Sequence, residues 1–108
     1  MNNRPPTAVS ETDWQIILNT LRAFVPDCDV WAFGSRAIGN AKPYSDLDLA
    51  IKGKNPLGID LASQLAEAFA ESDLPYKVDI VDWTTTSERF RATIDQDKVL
   101  VQSACRLV

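Results

Sequence analysis

The sequence has no histidine, only two cysteines and no apolar run long enough to cross a membrane. Without histidine it lacks the commonest general base and the commonest metal ligand of proteins. Cys28 and Cys105 stand far apart and neither belongs to a Cys-x-x-Cys pair, so nothing indicates a metal site built from sulfur. Chemistry in this chain must therefore use carboxylates, hydroxyls, lysine or arginine. The lack of both a membrane-spanning run and a signal-like start predicts a cytoplasmic protein without a membrane partner.

Positive charge is also scarce. The chain has 11 lysine and arginine residues against 15 aspartate and glutamate residues, which gives a formal net charge of -4. A polyanion would be repelled at long range, so we expect no nucleic acid partner, although a local basic patch could still hold a nucleotide. The 108 residues are enough for one hydrophobic core. We expect a flexible arm over residues 1–9 and a single domain over residues 10–108.

Hydrophobic periodicity predicts helices that alternate with short strands. Ser10 and Asp13 resemble a capping box that begins the first helix. The run Thr84 to Ser87 supplies N-cap candidates for the last helix, and within it Thr85 with Glu88 fits a second box. Short, almost wholly apolar runs between turn residues predict buried strands. The expected elements are a helix from Ser10 to about Pro26, a strand over 30–33, at most a short helix within 36–45, a strand over 46–51, a helix over 57–72, a strand over 76–83, a helix with Phe90 and Ile94 on its inner side, and a short edge strand over 99–101.

The strand over 46–51 divides its side chains between an apolar face and a charged face. Because side chains alternate along a strand, Leu47, Leu49 and Ile51 share one face. Asp46 and Asp48 share the other, where two carboxylates repel each other unless a cation compensates. Mg²⁺ takes oxygen ligands of this kind. The plainer alternative is a solvated pair of aspartates on an exposed strand.

The strand over 76–83 brings a third carboxylate towards the same face. A strand, a helix and a strand in that order imply a crossover connection between two parallel strands. Asp79 then lies beside Asp46 and Asp48. The predicted fold class is α/β (α+β), a small mixed sheet of three to four strands packed against helices in the order α-β-α-β-α-β-α, with the edge strand as the fourth strand.

A turn at Gly34 and Ser35 precedes the two aspartates, and ten residues separate Ser35 from Asp46. Because glycine has no side chain, a phosphate can approach the backbone there, and the following amides can form an anion-binding nest. Ser35 adds a hydroxyl donor. A Gly-Ser pair by itself would indicate only an ordinary turn. Its fixed spacing from the Asp-x-Asp pair makes it a candidate phosphate site, since this combination arises by chance in roughly one sequence of this length in a thousand.

The stretch GSRAIGNAKPYSDLDL, followed by Asp79 in YKVDIVDW, resembles the polymerase beta type nucleotidyltransferases, which share a signature of Gly-Ser, a ten-residue spacer and Asp-x-Asp. The short chain and the ending SERFRATIDQDKVLV are similar to the minimal nucleotidyltransferase branch, called MNT. Ile38 is a departure, because many members carry arginine there. The resemblance extends over nearly the whole chain, from about Asp13 onward.

The resemblance implies a nucleotidyltransferase fold and an Mg²⁺-dependent transfer of AMP from ATP to a hydroxyl, with pyrophosphate as the leaving group. Asp46, Asp48 and Asp79 would hold two Mg²⁺ ions, and Asp79 would also be the base for the incoming hydroxyl. By the same resemblance, Gly34 and Ser35 would hold the nucleotide phosphates. Arg36 and Ser45 are further candidates for binding the nucleotide. Arg36 lies close in sequence to these elements and could meet a triphosphate, although the plainer interpretation is a solvated surface charge.

The resemblance also implies a protein partner. MNT proteins are commonly paired with helical HEPN toxins and act as antitoxins by adding AMP to a tyrosine of the toxin, so we expect a HEPN partner. Both homo-oligomers and hetero-oligomers stay open. Two alternatives to this function also stay open: a module that neutralises its partner by covering it, without catalysis, and a modifier of small molecules similar to the aminoglycoside nucleotidyltransferases.

Overall fold

The computed structural model describes residues 9–37 and 45–104, which form a mixed four-stranded sheet and its helices. This confirms the predicted α/β fold class and the edge strand. The elements in chain order are α1 (Glu11–Phe24), β1 (Asp29–Phe33), β2 (Leu47–Lys52), α2 (Gly58–Ala70), β3 (Val78–Asp82), a 3₁₀ turn (Trp83–Thr85), α3 (Glu88–Asp97) and β4 (Val99–Gln102).

The stretch between β1 and β2 is described only in part. At most a short helix is expected within residues 36–45, and of these the structure describes 36, 37 and 45; residues 34–37 form a turn in which the Ala37 amide donates to the Gly34 carbonyl at 3.1 Å. Residues 38–44, which include Ile38, lie outside the described part of the chain. Over the described residues the order is therefore α-β-β-α-β-α-β.

The strands lie in the order β3-β2-β1-β4. As predicted, β2 and β3 are parallel, whereas β1 is antiparallel to both of its neighbours. Alternation gives the sheet two different faces. One face is almost completely covered by α1 and α2 and forms the main core, with side chains such as Leu49 and Ile51 fully buried. The opposite face, which we call the site face, carries Phe33, Asp48, Ala50, Asp79 and Val81, and Ile94 of α3 packs on its apolar part.

The ends of the helices show where local patterns were informative. Ser10 caps α1 and accepts a hydrogen bond from the Asp13 amide at 3.2 Å, as the capping pattern predicts. Val9, the last residue of the predicted flexible arm, is only 7% exposed and packs in the core with Trp14. These two residues occupy the positions of a hydrophobic staple, which explains why Val9 is buried. Residues 1–8 lie outside the described residues.

The cap of α3 is Ser87, one of the predicted N-cap candidates, and not the Thr85 of the capping box. Ser87, and not Thr85, accepts the hydrogen bond from the Phe90 amide at 3.2 Å, because Thr85 belongs to the 3₁₀ turn. Ile94 is fully buried under α3 as expected, whereas Phe90 is 39% exposed. Among the helices that the structure describes, none has the length and apolar character needed to span a membrane.

Candidate functional site

Asp48 occupies the centre of the candidate site. It lies on β2, paired with Phe33 of β1 on one side and with Asp79 of β3 on the other. Because β2 and β3 are parallel and these two aspartates are directly in register, both side chains lie on the site face. Asp46 immediately precedes β2 and is exposed. The sheet therefore brings together two of the three predicted carboxylates and leaves the third at the beginning of the strand.

The electrostatics around Asp48 favour a cation. Burial raises the pKa of Asp48, and the charges of Asp79 and then Asp46 raise it further. Within the described residues no hydrogen-bond donor or basic side chain contacts the Asp48 carboxylate. Asp79 is paired with Lys77 at 3.4 Å, but the Lys77 side chain is 73% exposed and that of Asp79 is 42% exposed, and a pair so open to solvent contributes little stability. A bound cation would relieve the repulsion at Asp48.

The donor set fits Mg²⁺ in its chemistry. In residues 9–37 and 45–104, no group of three acidic, histidine or cysteine side chains stands at the spacing of a preformed metal site. Mg²⁺, however, is usually bound by one or two carboxylates and completes its shell with water and substrate phosphate oxygens. Asp48 and Asp79 supply such a pair of carboxylates. The two-ion site with Asp46 stays a prediction.

Gly34 connects the Gly-Ser turn to the carboxylates. Its φ angle is +79°, in the left-handed region that favours glycine. A Cβ atom added at Gly34 would also lie 2.5 Å from Oδ2 of Asp48, closer than real Cβ atoms approach. The turn therefore passes directly beside the Asp48 carboxylate. Ser35 follows in an exposed position, so the predicted phosphate donor and the predicted metal ligand are neighbours in space.

Arg36 is the residue whose surroundings sequence reasoning did not foresee. Its side chain is only 5% exposed, and its Nε and Nη2 atoms donate to the Ser45 carbonyl at 3.0 and 2.7 Å. Its guanidinium carbon also lies 3.9 Å from the centre of the Tyr76 ring. Phosphate binding by Arg36 and Ser45 stays a prediction. Tyr76 was not a candidate, and no local pattern could have indicated it, because its contact with Arg36 depends on tertiary packing.

Tyr76 is itself held in place from a second side. Its hydroxyl donates to Oδ2 of Asp13 at 3.4 Å. Burial and the neighbouring Asp13 charge raise the pKa of Tyr76 to about 12, although the Arg36 charge acts in the opposite direction. The ring is therefore neutral at physiological pH, and its face is available to the guanidinium.

Comparison with known proteins assigns the chain to a family. The family described as "Polymerase beta, Nucleotidyltransferase" matches residues 28–105. The chain is 50% identical over 94 residues to a Haemophilus influenzae protein named "Probable protein adenylyltransferase MntA", and the match covers 87% of this chain and 82% of that protein.

Solved structures with the same fold include two toxin-antitoxin complexes. One is a crystal structure of a toxin-antitoxin with AMP-PNP, with a TM-score of 0.75 and 25% identity, covering 85% of this chain and 74% of the other. The second is a tri-AMPylated HEPN toxin from Shewanella oneidensis in complex with an MNT antitoxin, with a TM-score of 0.67 and 23% identity, covering 84% and 70%. The second likeness shows the fold alone. From the family match and the relative of 50% identity, the chain belongs to the polymerase beta family of nucleotidyltransferases.

Proposed function

We propose that this nucleotidyltransferase transfers AMP from ATP to a tyrosine hydroxyl of a HEPN toxin and thereby acts as an antitoxin. The observation that carries the proposal is the register of Asp48 with Asp79 directly beside Gly34, in a chain half identical to a probable protein adenylyltransferase. The AMP-PNP in one structural neighbour supports ATP as the substrate. The tri-AMPylated HEPN toxin bound to an MNT antitoxin in another supports the acceptor.

The residues of the site take distinct roles in the transfer. Gly34 allows the phosphates to approach the backbone, and the Ser35 hydroxyl donates to them. Asp48 and Asp79, with Asp46 beside them, would hold two Mg²⁺ ions, which supply charge neutralisation on the phosphate oxygens when bound. An oxygen of Asp79 accepts the proton of the acceptor hydroxyl. The acceptor oxygen forms a bond to the α-phosphorus, the bond to the bridging oxygen of the β-phosphate breaks, and pyrophosphate leaves.

A labelling experiment tests the proposal. The purified protein is incubated with Mg²⁺, with a HEPN toxin as the candidate acceptor, and with ATP labelled on either the α-phosphate or the γ-phosphate. We expect label on a partner tyrosine from α-labelled ATP only. Asp48→Asn should lower the transfer more than about 100-fold, because it removes a proposed metal ligand and not merely an outer-shell contact. Asp73→Asn, a change at an exposed loop aspartate, should leave the transfer unchanged.

Three results would contradict the proposal. Wild-type protein that transfers no label would exclude AMP transfer to this partner, and label arriving from the γ-phosphate would indicate a kinase. Equal labelling by Asp48→Asn would show that the carboxylate pair is not the site.

The same variant tests the alternative that the protein neutralises its partner by covering it, without catalysis. An inactive Asp48→Asn protein that still protects cells from the toxin would favour that alternative. The proposed cytoplasmic setting, in which ATP and Mg²⁺ are available, stays a prediction.

A further inference from the structure

We infer that Arg36 is a positioning residue, whose guanidinium clasps the backbone immediately before the Asp-x-Asp pair and so holds the carboxylates in place beside the Gly-Ser turn. This inference rests on the proposed function and deepens it. It replaces the phosphate-binding role that sequence reasoning gave to Arg36. The inference is based on the contacts of Arg36 with Ser45 and Tyr76.

The clasp joins two parts of the site across the loop between β1 and β2. Two N–H groups of one guanidinium donate to a single carbonyl, that of Ser45, nine positions away in sequence. Hydrogen bonds from a charged donor are roughly twice as strong as neutral ones. Ser45 directly precedes Asp46, while Arg36 belongs to the turn that begins at Gly34. The Gly-Ser turn and the start of β2 are therefore fixed relative to each other.

The same side chain also fixes the beginning of β3. The Tyr76 ring lies against the guanidinium at 3.9 Å, and Tyr76 precedes Asp79 by three residues. Next to it, the Leu47 amide donates to the Lys77 carbonyl at 2.9 Å and ties β2 to the chain before β3. Both strands that carry the site carboxylates thus begin at the clasp. A guanidinium is suited to this task because it can form a fork of hydrogen bonds and stack on a ring at once, whereas an ammonium cannot.

The burial of Arg36 argues against a direct phosphate contact. A guanidinium that is 95% buried, with a ring on its face and a carbonyl at its edge, would have to give up these contacts to reach a phosphate. Loss of the guanidinium would remove the hydrogen bonds to the Ser45 carbonyl and so let Ser45 and Asp46 shift. A displacement of about 1 Å at a catalytic group can lower the rate about 100-fold even when substrate binding is intact.

Two pairs of variants separate positioning from phosphate binding. Arg36→Lys keeps the charge and loses the fork, and Arg36→Met removes the charge as well. Tyr76→Phe keeps the ring, and Tyr76→Leu removes it. For positioning, we expect both Arg36 variants to lose kcat about 10- to 100-fold with the KM for ATP unchanged, Tyr76→Leu to lose part of that activity, and Tyr76→Phe to remain close to wild type.

Amide hydrogen exchange supplies a readout that does not depend on transfer. In Arg36→Lys the Leu47 amide should exchange faster than in wild type, whereas the Val25 amide, which donates to the Leu21 carbonyl at the C-terminal end of α1, should not change. This local effect also separates positioning from general destabilisation, which would speed the exchange of both amides. If Arg36→Met does not fold, Arg36→Lys and Tyr76→Leu decide the question.

The inference is overturned if Arg36→Lys is close to wild type while Arg36→Met raises the KM for ATP, since that is the behaviour of a charge that binds phosphate. Unchanged exchange at Leu47 in every Arg36 variant would also overturn it. Failure of the proposed function is seen separately, as a wild-type protein that transfers no AMP. In that event hydrogen exchange and the binding of AMP-PNP still decide whether the clasp orders the start of β2.

Discussion

At the scale of single residues, Gly34 is required for two independent reasons that a matched pair of variants separates. Gly34 and Gly58 have nearly the same φ, +79° and +80°, but a Cβ at Gly58 meets nothing within 4 Å, whereas one at Gly34 meets Asp48. We expect Gly58→Ala to cost about 1 kcal/mol of stability from backbone strain alone. Gly34→Ala should cost more and should also displace the Asp48 carboxylate.

Denaturant unfolding and nucleotide binding measure the two effects. Gly34→Ala should weaken AMP-PNP binding, because the added methyl group occupies the space between the turn and Asp48. Gly58→Ala should bind AMP-PNP as wild type does, since its turn lies outside the site. If Gly34→Ala and Gly58→Ala lose the same amount of stability and the same amount of AMP-PNP affinity, the close approach of Gly34 to Asp48 has no functional role.

The Asp48 carboxylate is expected to favour the binding of a cation but to lower the stability of the metal-free protein. Its pKa is raised in the folded protein, by burial first and then by Asp79 and Asp46, so the folded state favours the protonated form. The stability that protonation provides is present below the unfolded pKa, near 4, and is lost as the pH rises through the folded pKa. Without metal, Asp48→Asn should therefore be more stable than wild type at pH 7.

Thermal unfolding in a chelator, followed from pH 7 downwards, measures this difference. The advantage of Asp48→Asn should shrink as the pH falls, because wild-type Asp48 becomes neutral as well. Asp73→Asn is the control and should follow wild type at every pH, since an exposed substitution of this kind usually changes stability by less than about 0.5 kcal/mol. A variant less stable than wild type at pH 7 would mean that Asp48 makes a stabilising contact in the apo protein.

At the scale of secondary structure, two aspartates of β3 have opposite tasks. Asp79 lies on the site face, whereas Asp82 ends the strand and binds backbone: its Oδ2 accepts from the Leu57 amide at 2.8 Å and its Oδ1 from the Thr84 amide at 3.0 Å. Leu57, the residue before α2, has no side-chain cap of its own. Asp82 therefore replaces a local cap for α2 and also orders the 3₁₀ turn.

Substitutions at these two aspartates should have separable effects. Asp82→Ala removes the acceptor of several hydrogen bonds and should lower the free energy of unfolding by about 1 to 3 kcal/mol, while leaving the carboxylate pair intact. Asp79→Asn should not lower the free energy of unfolding, because it removes a charge that repels Asp48, and it should abolish AMP transfer. Urea unfolding and the labelling assay together test the pair. Loss of transfer in folded Asp82→Ala protein would place Asp82 in the site.

The sequence predicted these elements because their signals are local. Apolar alternation identified the core face of β2, and the helical stripe identified α2. The contacts of Asp82 and Arg36 could not be predicted in this way, since each depends on how distant segments pack. The same applies to the cap of α3, where Thr85 and Ser87 are equally good candidates until the 3₁₀ turn is seen to occupy the first.

At the scale of the whole molecule, the site follows from the unequal covering of the sheet. The helices α1 and α2 cover one face, and α3 packs on the other with Ile94 against Phe33 and Ala50. The carboxylates of Asp48 and Asp79 lie on that second face. The parallel pairing of β2 and β3 was predictable from the crossover rule. The antiparallel position of β1 between β2 and β4 was not, because no local pattern specifies which strands become neighbours.

The whole fold should be stabilised by nucleotide in a way that depends on the metal. If AMP-PNP and Mg²⁺ bind only the folded chain, a ligand concentration 100 times the Kd should raise the free energy of unfolding by about 2.7 kcal/mol. Thermal unfolding should show this shift with AMP-PNP and Mg²⁺ together, and a smaller one with AMP-PNP and a chelator, because the phosphates then meet uncompensated carboxylates. Asp79→Asn should lose the dependence on Mg²⁺, whereas Asp73→Asn should retain it. Equal stabilisation of wild type with and without Mg²⁺ would mean that the nucleotide binds without a cation between its phosphates and the site face.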